Sequence, residues 1–212
     1  MSLKITEIFF SLQGESRTVG LPTVFVRLTG CPMRCTYCDT AYAFHGGVKR
    51  EVEDIVAEVK QYKTKYITVT GGEPLAQPQC IELLTTLCDL GYQVSLETGG
   101  AIDISQVDPR VYIVLDVKTP ASAEEPNNKY SNLDLIKPSD ALKFVICDEA
   151  DYQWSKQKLA ERKLDEKCEV LFSPSADQLS ATALADWIIR DQLPVRMQIQ
   201  LHKILWADVA GK

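Results

Sequence analysis

The chain has no long apolar run and no run of basic residues, and each absence excludes a class of function. No stretch reaches the roughly 20 apolar residues that span a bilayer. Met1-Ser2-Leu3-Lys4 also lacks the apolar core and cleavage site of a secretory signal, so a cytoplasmic protein with no membrane partner is expected. Nucleic acid is not an expected partner either. Phosphate binding needs a basic face, whereas the formal net charge is −6 with no Lys/Arg cluster. Internal repeats and low-complexity segments are lacking.

The remaining composition is that of a soluble globular protein, 45% hydrophobic and 25% charged. The length fits a single domain over residues 1–212 with a sizeable core. Seven cysteines is an odd number, and a disulfide framework is out of place in a cytosolic protein of this size. Cys80, Cys88, Cys147 and Cys168 are scattered singly and read as buried structural thiols. Cys31, Cys35 and Cys38 crowd together and need a metal explanation.

Short β-rich runs alternate with amphipathic stretches. Thr23–Leu28 reads as a strand. Val52, Ile55, Val56 and Val59 then recur at helical spacing within Glu51–Tyr62. Tyr66–Thr70 is a second strand, and Gln79–Leu90 a helix stopped by Gly91. Strands Gln93–Glu97, Val111–Val117 and Ala141–Cys147 follow, then a helix over Asp151–Lys163. Strand Glu169–Phe172, helix Thr182–Arg190 and strand Arg196–Leu201 complete the series. The alternation implies an α/β fold with a mostly parallel sheet. A full eight-fold barrel takes about 250 residues, so an incomplete (β/α) barrel is expected. Its middle crossovers, Gly99–Arg110 and Thr119–Ser139, are rich in Pro, Asn, Asp and Ser and should be poor in helix. In such folds the site lies at the carboxyl ends of the strands. The motifs of interest all follow strands, so they should converge on one rim.

The cysteine segment reads Gly30-Cys31-Pro32-Met33-Arg34-Cys35-Thr36-Tyr37-Cys38-Asp39. Thiolates suit iron–sulfur clusters, zinc or copper(I). Three of them in one loop can hold three irons of a cubane and leave the fourth open to a chelating ligand. The alternatives are a zinc-stabilised binding module, for which His45 is the nearest fourth ligand, and a redox Cys-x-x-Cys pair.

This C-x3-C-x2-C loop resembles that of the radical S-adenosyl-L-methionine (SAM) superfamily, with Tyr37 as the aromatic before the third cysteine. Thr70-Gly71-Gly72-Glu73-Pro74 resembles the superfamily's glycine-rich stretch after the second strand. The resemblance implies a [4Fe–4S] cluster on Cys31, Cys35 and Cys38. SAM would chelate the open iron and be cleaved to a 5′-deoxyadenosyl radical.

Leu12-Gln13-Gly14-Glu15-Ser16, Arg27, Asp39-Thr40, Glu97-Thr98-Gly99-Gly100 and Gln200-Leu201-His202-Lys203 narrow this further. Together they resemble the 7-carboxy-7-deazaguanine synthase family over essentially the whole chain. That family converts 6-carboxy-5,6,7,8-tetrahydropterin to 7-carboxy-7-deazaguanine with loss of ammonia, using Mg²⁺. It implies substrate contacts from Leu12, Gln13, Gly14, Arg27, Thr70 and His202, and a Mg²⁺ contact from Thr40. It also implies a SAM site formed by Tyr37, Cys38, Asp39, Gly72, Asp116, Val117 and Lys118, with Ser173, Pro174, Ser175 and Ala176. An electron donor such as flavodoxin and a homodimer are implied as well.

Each of these residues has a plainer reading. Gln-Gly-Glu is an ordinary turn sequence, Arg27 a structural ion-pair partner, Asp116 and Lys118 an edge salt bridge, and His202 a packing histidine. The chain also departs from the family. Asp116-Val117-Lys118 stands where members often have Ser-Pro-Lys, and Ile204–Lys212 continues past the point near which members end. Their terminal carboxylate contact is therefore not carried over. The nearest rival is a glycyl-radical-enzyme activase, which acts on a protein backbone instead of a small anionic pterin.

Overall fold

Apolar and polar residues alternate along the strands in a fixed sense, and that parity builds a curved sheet with two unlike faces. The computed structural model describes residues 2–176, 178–207, 209 and 211. The strands are β1 (Ser2–Leu12), β2 (Pro22–Leu28), β3 (Val48–Glu51), β4 (Tyr66–Gly71), β5 (Gln93–Thr98), β6 (Tyr112–Asp116), β7 (Ala141–Ile146), β8 (Glu169–Pro174) and β9 (Arg196–Met197). The helices are α1 (Val52–Val59), α2 (Cys80–Asp89), α3 (Glu149–Arg162), α4 (Leu164–Lys167), α5 (Ala181–Asp191) and α6 (Leu201–Trp206). All these strands form one sheet in the order β3-β1-β2-β4-β5-β6-β7-β8-β9. β1 runs antiparallel to β2 and β3, and the other pairings are parallel. The architecture is the expected incomplete barrel.

One face of the sheet carries the main core. Val24, Val26, Ile67, Val69, Val94, Leu96, Ile113, Leu115, Leu142, Phe144, Val170 and Phe172 point outward, against apolar helix residues such as Ile55, Val59, Leu83, Leu87, Leu159 and Leu184. The other face lines the concave lumen and holds a small apolar cluster of Tyr112, Val114, Ala141 and Leu171. Phe25 and Val145 face it as well, beside the polar or charged Arg27, Thr68, Thr70, Ser95, Glu97, Asp116 and Lys143. A side-chain period of two therefore separates the stabilising face from the chemical one.

Besides the short, unanticipated β3 and α4, two stretches differ from the sequence expectation. β1 precedes the anticipated first strand and was hidden by its own irregularity. Its pairing with β2 shifts register between Ile5 and Glu7, so the alternation changes phase within the strand. At the other end, the expected strand Arg196–Leu201 stops at Met197, and Leu201–Trp206 is helical. The Gln198 side chain accepts from Ser16 N, and Gln200 Nε2 donates to Glu15 Oε1. These bonds pull the chain off the sheet edge. Of the C-terminal continuation, Asp208, Ala210 and Lys212 lie outside the described residues.

The middle crossovers contain no α-helix. Thr119–Ser139 instead forms 3₁₀ turns at Pro120–Ser122, Glu125–Asn127 and Tyr130–Asp134, and it folds back over the cysteine loop. Thr36 N donates to Ser122 O, Thr36 Oγ1 to Ala121 O, and Arg34 N to the Glu124 carboxylate. Asp151, on the first turn of α3, supports this segment from behind. It accepts from Thr119 Oγ1 (2.9 Å), Ala121 N (3.0 Å) and Cys147 N (3.1 Å). Replacing Asp151 by Ala strands these donors, two of them main-chain amides. The expected loss in urea unfolding is about 2–4 kcal/mol, the range for several deprived buried donors. A loss near zero would show that the crossover does not depend on Asp151.

Candidate active site

The carboxyl ends of the strands open into one cavity of ≈ 600 Å³. The cysteine loop forms one wall. Cys31, Cys35 and Cys38 are half-buried free thiols that all reach this cavity. Burial pushes the Cys35 thiol up to about 11, although Lys118 opposes this, and burial raises Cys31 as well. Three thiols on one loop at a cavity wall are a donor set that suits an iron–sulfur cluster.

The cysteine loop is held by the loops after β4 and β5. Glu73 N donates to Gly30 O at 2.8 Å, and Gly72 N to Leu28 O at 3.2 Å. A side chain at Gly72 would run into the Gly30 carbonyl and lie 2.7 Å from Cys31 Cβ, so the close approach requires glycine. The fully buried Glu73 carboxylate accepts from Leu75 N, Thr98 Oγ1 and Gly99 N at 2.8–3.0 Å. Met33 in turn packs against Gly99.

Lys118 and Asp116 line the wall facing the cysteines. Lys118 Nζ lies 2.9 Å from Asp116 Oδ2 and 5.7 Å from the centre of the Tyr37 ring. Burial disfavours the charge on Lys118, yet Asp116, Cys35 and Glu73 together raise its pKa. Tyr37 Oη and Asp116 Oδ1 are buried without a hydrogen-bond partner among the described residues. Such atoms on a cavity wall mark where a polar ligand fits. Val117, Ser173 and Pro174 do not reach the cavity. Val117 belongs to the outer core, and Ser173 and Pro174 are buried at the end of β8. Ser175 and Ala176, just beyond, do line it.

On the opposite wall are Leu12, Gln13, Gly14, Arg27, Thr40, Thr70 and His202. The Gln13 side chain is committed to the protein, donating to Thr68 Oγ1 (3.0 Å) and Glu97 Oε1 (3.2 Å) and accepting from Glu15 N. Arg27 donates through Nε to Glu7 Oε1 at 2.7 Å. Its Nη atoms have no partner among the described residues, so the ion-pair and ligand readings of Arg27 are compatible. Thr40 donates its hydroxyl to Asp39 Oδ1 at 2.8 Å. His202 abuts Gly14, where a Cβ would strike its ring, and burial lowers its pKa. Leu201 N donates to Gly14 O, so the two ends of the chain meet at the cavity mouth.

Sequence reasoning passed over Lys143, Glu15 and Glu97 as site residues. Lys143 Nζ lies 2.8 Å from Glu15 Oε2 and 3.7 Å from Asp116 Oδ2 on the lumen floor. Its signal was present: it is the single charge in the apolar strand Ala141–Ile146, at a lumen-facing position. Glu15 and Glu97 stood inside quoted motifs without a role.

Gly72→Ala should displace the cysteine loop while leaving the outer core intact. Iron retained after anaerobic reconstitution is expected to fall by at least half, with little change in far-UV circular dichroism. Full iron retention would mean the loop accommodates the methyl group.

The radical SAM superfamily model matches residues 25–116, a span running from the lumen strand before the cysteines to Asp116. The 7-carboxy-7-deazaguanine synthase of Chlorobaculum tepidum is 44% identical over 207 residues, covering 96% of this chain and 94% of the relative. That of Koribacter versatilis is 39% identical, covering 96% and 97%. Among solved structures, QueE from Escherichia coli shares the fold with a TM-score of 0.74 at 22% identity, covering 95% of each chain. Near-complete alignment at this identity leaves no room for a separate architecture, and the chain is a member of the 7-carboxy-7-deazaguanine synthase family of radical SAM enzymes.

Proposed function

We propose that this chain is a carbon–nitrogen lyase that converts 6-carboxy-5,6,7,8-tetrahydropterin to 7-carboxy-7-deazaguanine with release of ammonia, in 7-deazapurine (queuosine precursor) biosynthesis. The observation that carries this reading is the full-length similarity to synthases of that name, joined to one cavity in which the cysteine loop faces a polar lumen. Residues 1–212 are read as a single radical SAM domain, since all the described strands share one sheet.

Cys31, Cys35 and Cys38 would hold the [4Fe–4S] cluster, and Tyr37, Asp39, Gly72, Asp116 and Lys118 would surround SAM. When bound, cluster and SAM together supply the radical that starts the reaction; the protein binds, orients and shields. The Gly72 main chain offers close approach without a side chain in the way. Lys118, charged and buried, is placed to offset negative charge beside the cysteines. Asp116 Oδ1 and Tyr37 Oη offer unmet hydrogen bonds on the same wall. Main-chain contacts at Val117 and from Ser173 to Ala176 complete the reading, with Ser175 and Ala176 better placed than Ser173 and Pro174.

On the substrate side, the Nη atoms of Arg27 would take the carboxylate at pterin C6, a planar match that lysine does not reproduce. Thr70, His202 and the main chain of Leu12, Gln13 and Gly14 would border the ring. Thr40 would give its hydroxyl oxygen to Mg²⁺, a hard ion suited to oxygen ligands and water. Its present bond to Asp39 leaves the oxygen's lone pairs available. A cytoplasmic location, a homodimer and an electron donor such as flavodoxin follow from the family reading. No helix among the described residues is long and apolar enough to cross a membrane.

The decisive experiment is anaerobic incubation of the reconstituted protein with SAM, reductant, Mg²⁺ and the carboxytetrahydropterin, followed by mass spectrometry. The 7-carboxy-7-deazaguanine mass is expected. Reductive SAM cleavage without that product would overturn the substrate while leaving the radical chemistry intact. Arg27→Ala should lower kcat/KM for the pterin roughly 10- to 100-fold, the usual worth of a hydrogen bond to a charged group, with reductive SAM cleavage retained. Unchanged pterin turnover would remove the carboxylate clamp.

A further inference from the structure

Glu7 and Arg27 stand opposite each other on β1 and β2, and the irregularity in β1 is what makes them meet. Leu3 and Ile5 belong to the outer core. With a side-chain period of two, Glu7 would follow them to that face. The register instead shifts between Ile5 and Glu7, from Ile5 opposite Leu28 to Glu7 opposite Arg27. Beyond the shift, Ile8 packs against the outer core, while Phe9 lines the cavity with Phe25. A bulge of this kind re-aims side chains, and here it turns a carboxylate toward the lumen arginine.

One oxygen of that carboxylate is shared. Glu7 Oε1 accepts from Arg27 Nε at 2.7 Å and from Tyr42 Oη at 2.7 Å. Tyr42 lies on the 3₁₀ turn Ala41–Phe44, which follows Thr40 directly. Burial pushes the Tyr42 hydroxyl up to about 12; Arg27 opposes this, and the bond to Glu7 adds to it. The hydroxyl therefore keeps its proton at neutral pH and donates. The guanidinium carbon of Arg27 lies 5.7 Å from the centre of the Phe9 ring and 5.8 Å from that of Tyr42. Two rings and one carboxylate thus hold a side chain that is otherwise long and rich in rotamers. With Nε occupied, the side-on fork of Nε and Nη is closed to a ligand. The two Nη atoms stay open, since neither has a hydrogen-bond or ion-pair partner among the described residues.

We propose that Glu7 is the positioning residue of Arg27: together with Tyr42 it fixes the guanidinium so that the substrate carboxylate is taken end-on, by the two Nη atoms. This rests on the carboxylate clamp proposed above. Glu7 does not line the cavity, so it acts through Arg27. Its effect is pre-organisation: the arginine is ordered before the ligand arrives, and binding does not bear that entropy cost. The role needs the acceptor oxygen more than the charge.

The test compares 6-carboxypterin with pterin, which lacks the carboxylate, by anaerobic equilibrium dialysis on the cluster- and SAM-loaded protein. The wild type is expected to prefer the carboxy compound roughly 10- to 100-fold. Glu7→Ala should lower that preference about 10-fold and leave the affinity for pterin unchanged. Glu7→Gln, which keeps an acceptor oxygen, should restore it. Glu7→Ala protein that keeps the full preference, or that loses affinity for both compounds alike, overturns the proposal. So does Glu7→Gln protein that behaves as the alanine variant. Should Glu7→Ala fail to hold its cluster, Tyr42→Phe takes its place. It removes one of the two bonds to the shared oxygen and should lower the preference roughly 3-fold; an unchanged preference overturns the proposal. Wild-type protein that binds both compounds equally overturns the carboxylate clamp, and wild-type protein that binds neither overturns the pterin reading. In both cases the proposal falls with the reading beneath it.

Discussion

The Glu73 carboxylate is the constraint on which the site depends. It is fully buried and has no ion pair among the described residues, yet main-chain N–H groups and a hydroxyl from two separate loops satisfy it. A buried charge is tolerable only when its hydrogen bonds are complete. The loop after β4 and the loop after β5 are thereby fixed in one relative position. Gly72 and Gly99, which flank this junction, then form the surface against which the cysteine loop packs. The geometry of the three thiols thus rests on a group that does not itself line the cavity.

A second constraint is the division of labour between the faces of the sheet. The outer face is apolar almost without interruption and, with the helices, accounts for most of the buried hydrocarbon. The lumen is left free to hold Arg27, Thr70, Glu97, Asp116 and Lys143. The charges offset one another around the floor, Arg27 and Lys143 against Glu97 and Asp116. Polar groups in a barrel lumen oppose folding unless they are paired, so nearly all of them are.

Much of this was legible in the sequence, because local pattern carried it. The spacing of Val52, Ile55, Val56 and Val59 gave α1, the run Val111–Val117 a strand buried on both faces, and the cysteine spacing the class of chemistry. What escaped was whatever depends on distant partners. β1 was masked by a bulge that breaks its period, and the helix at Leu201–Trp206 by glutamines whose partners lie at the other end of the chain. Asp151 reads as an ordinary polar residue on a helix, although it buttresses the segment that grips the cysteine loop. Lys143 was the readable exception, a lone charge in an apolar strand at a position whose parity points into the lumen.

The contacts that close the cavity mouth join residues far apart in the chain. Ser16 meets Gln198, Glu15 meets Gln200, and Gly14 meets Leu201. The cysteine wall is different, since its supports lie mostly at or before Asp151, and of its residues Asp39 reaches on to Gln200 and Lys203. During synthesis, the thiol-bearing wall therefore has most of its partners while the last quarter of the chain is still being made. The mouth must wait for the final residues, as contacts of long sequence separation do. Biogenesis thus has a built-in order in which the part that receives iron and sulfide is assembled first, in an open vessel, and the binding chamber is sealed afterwards.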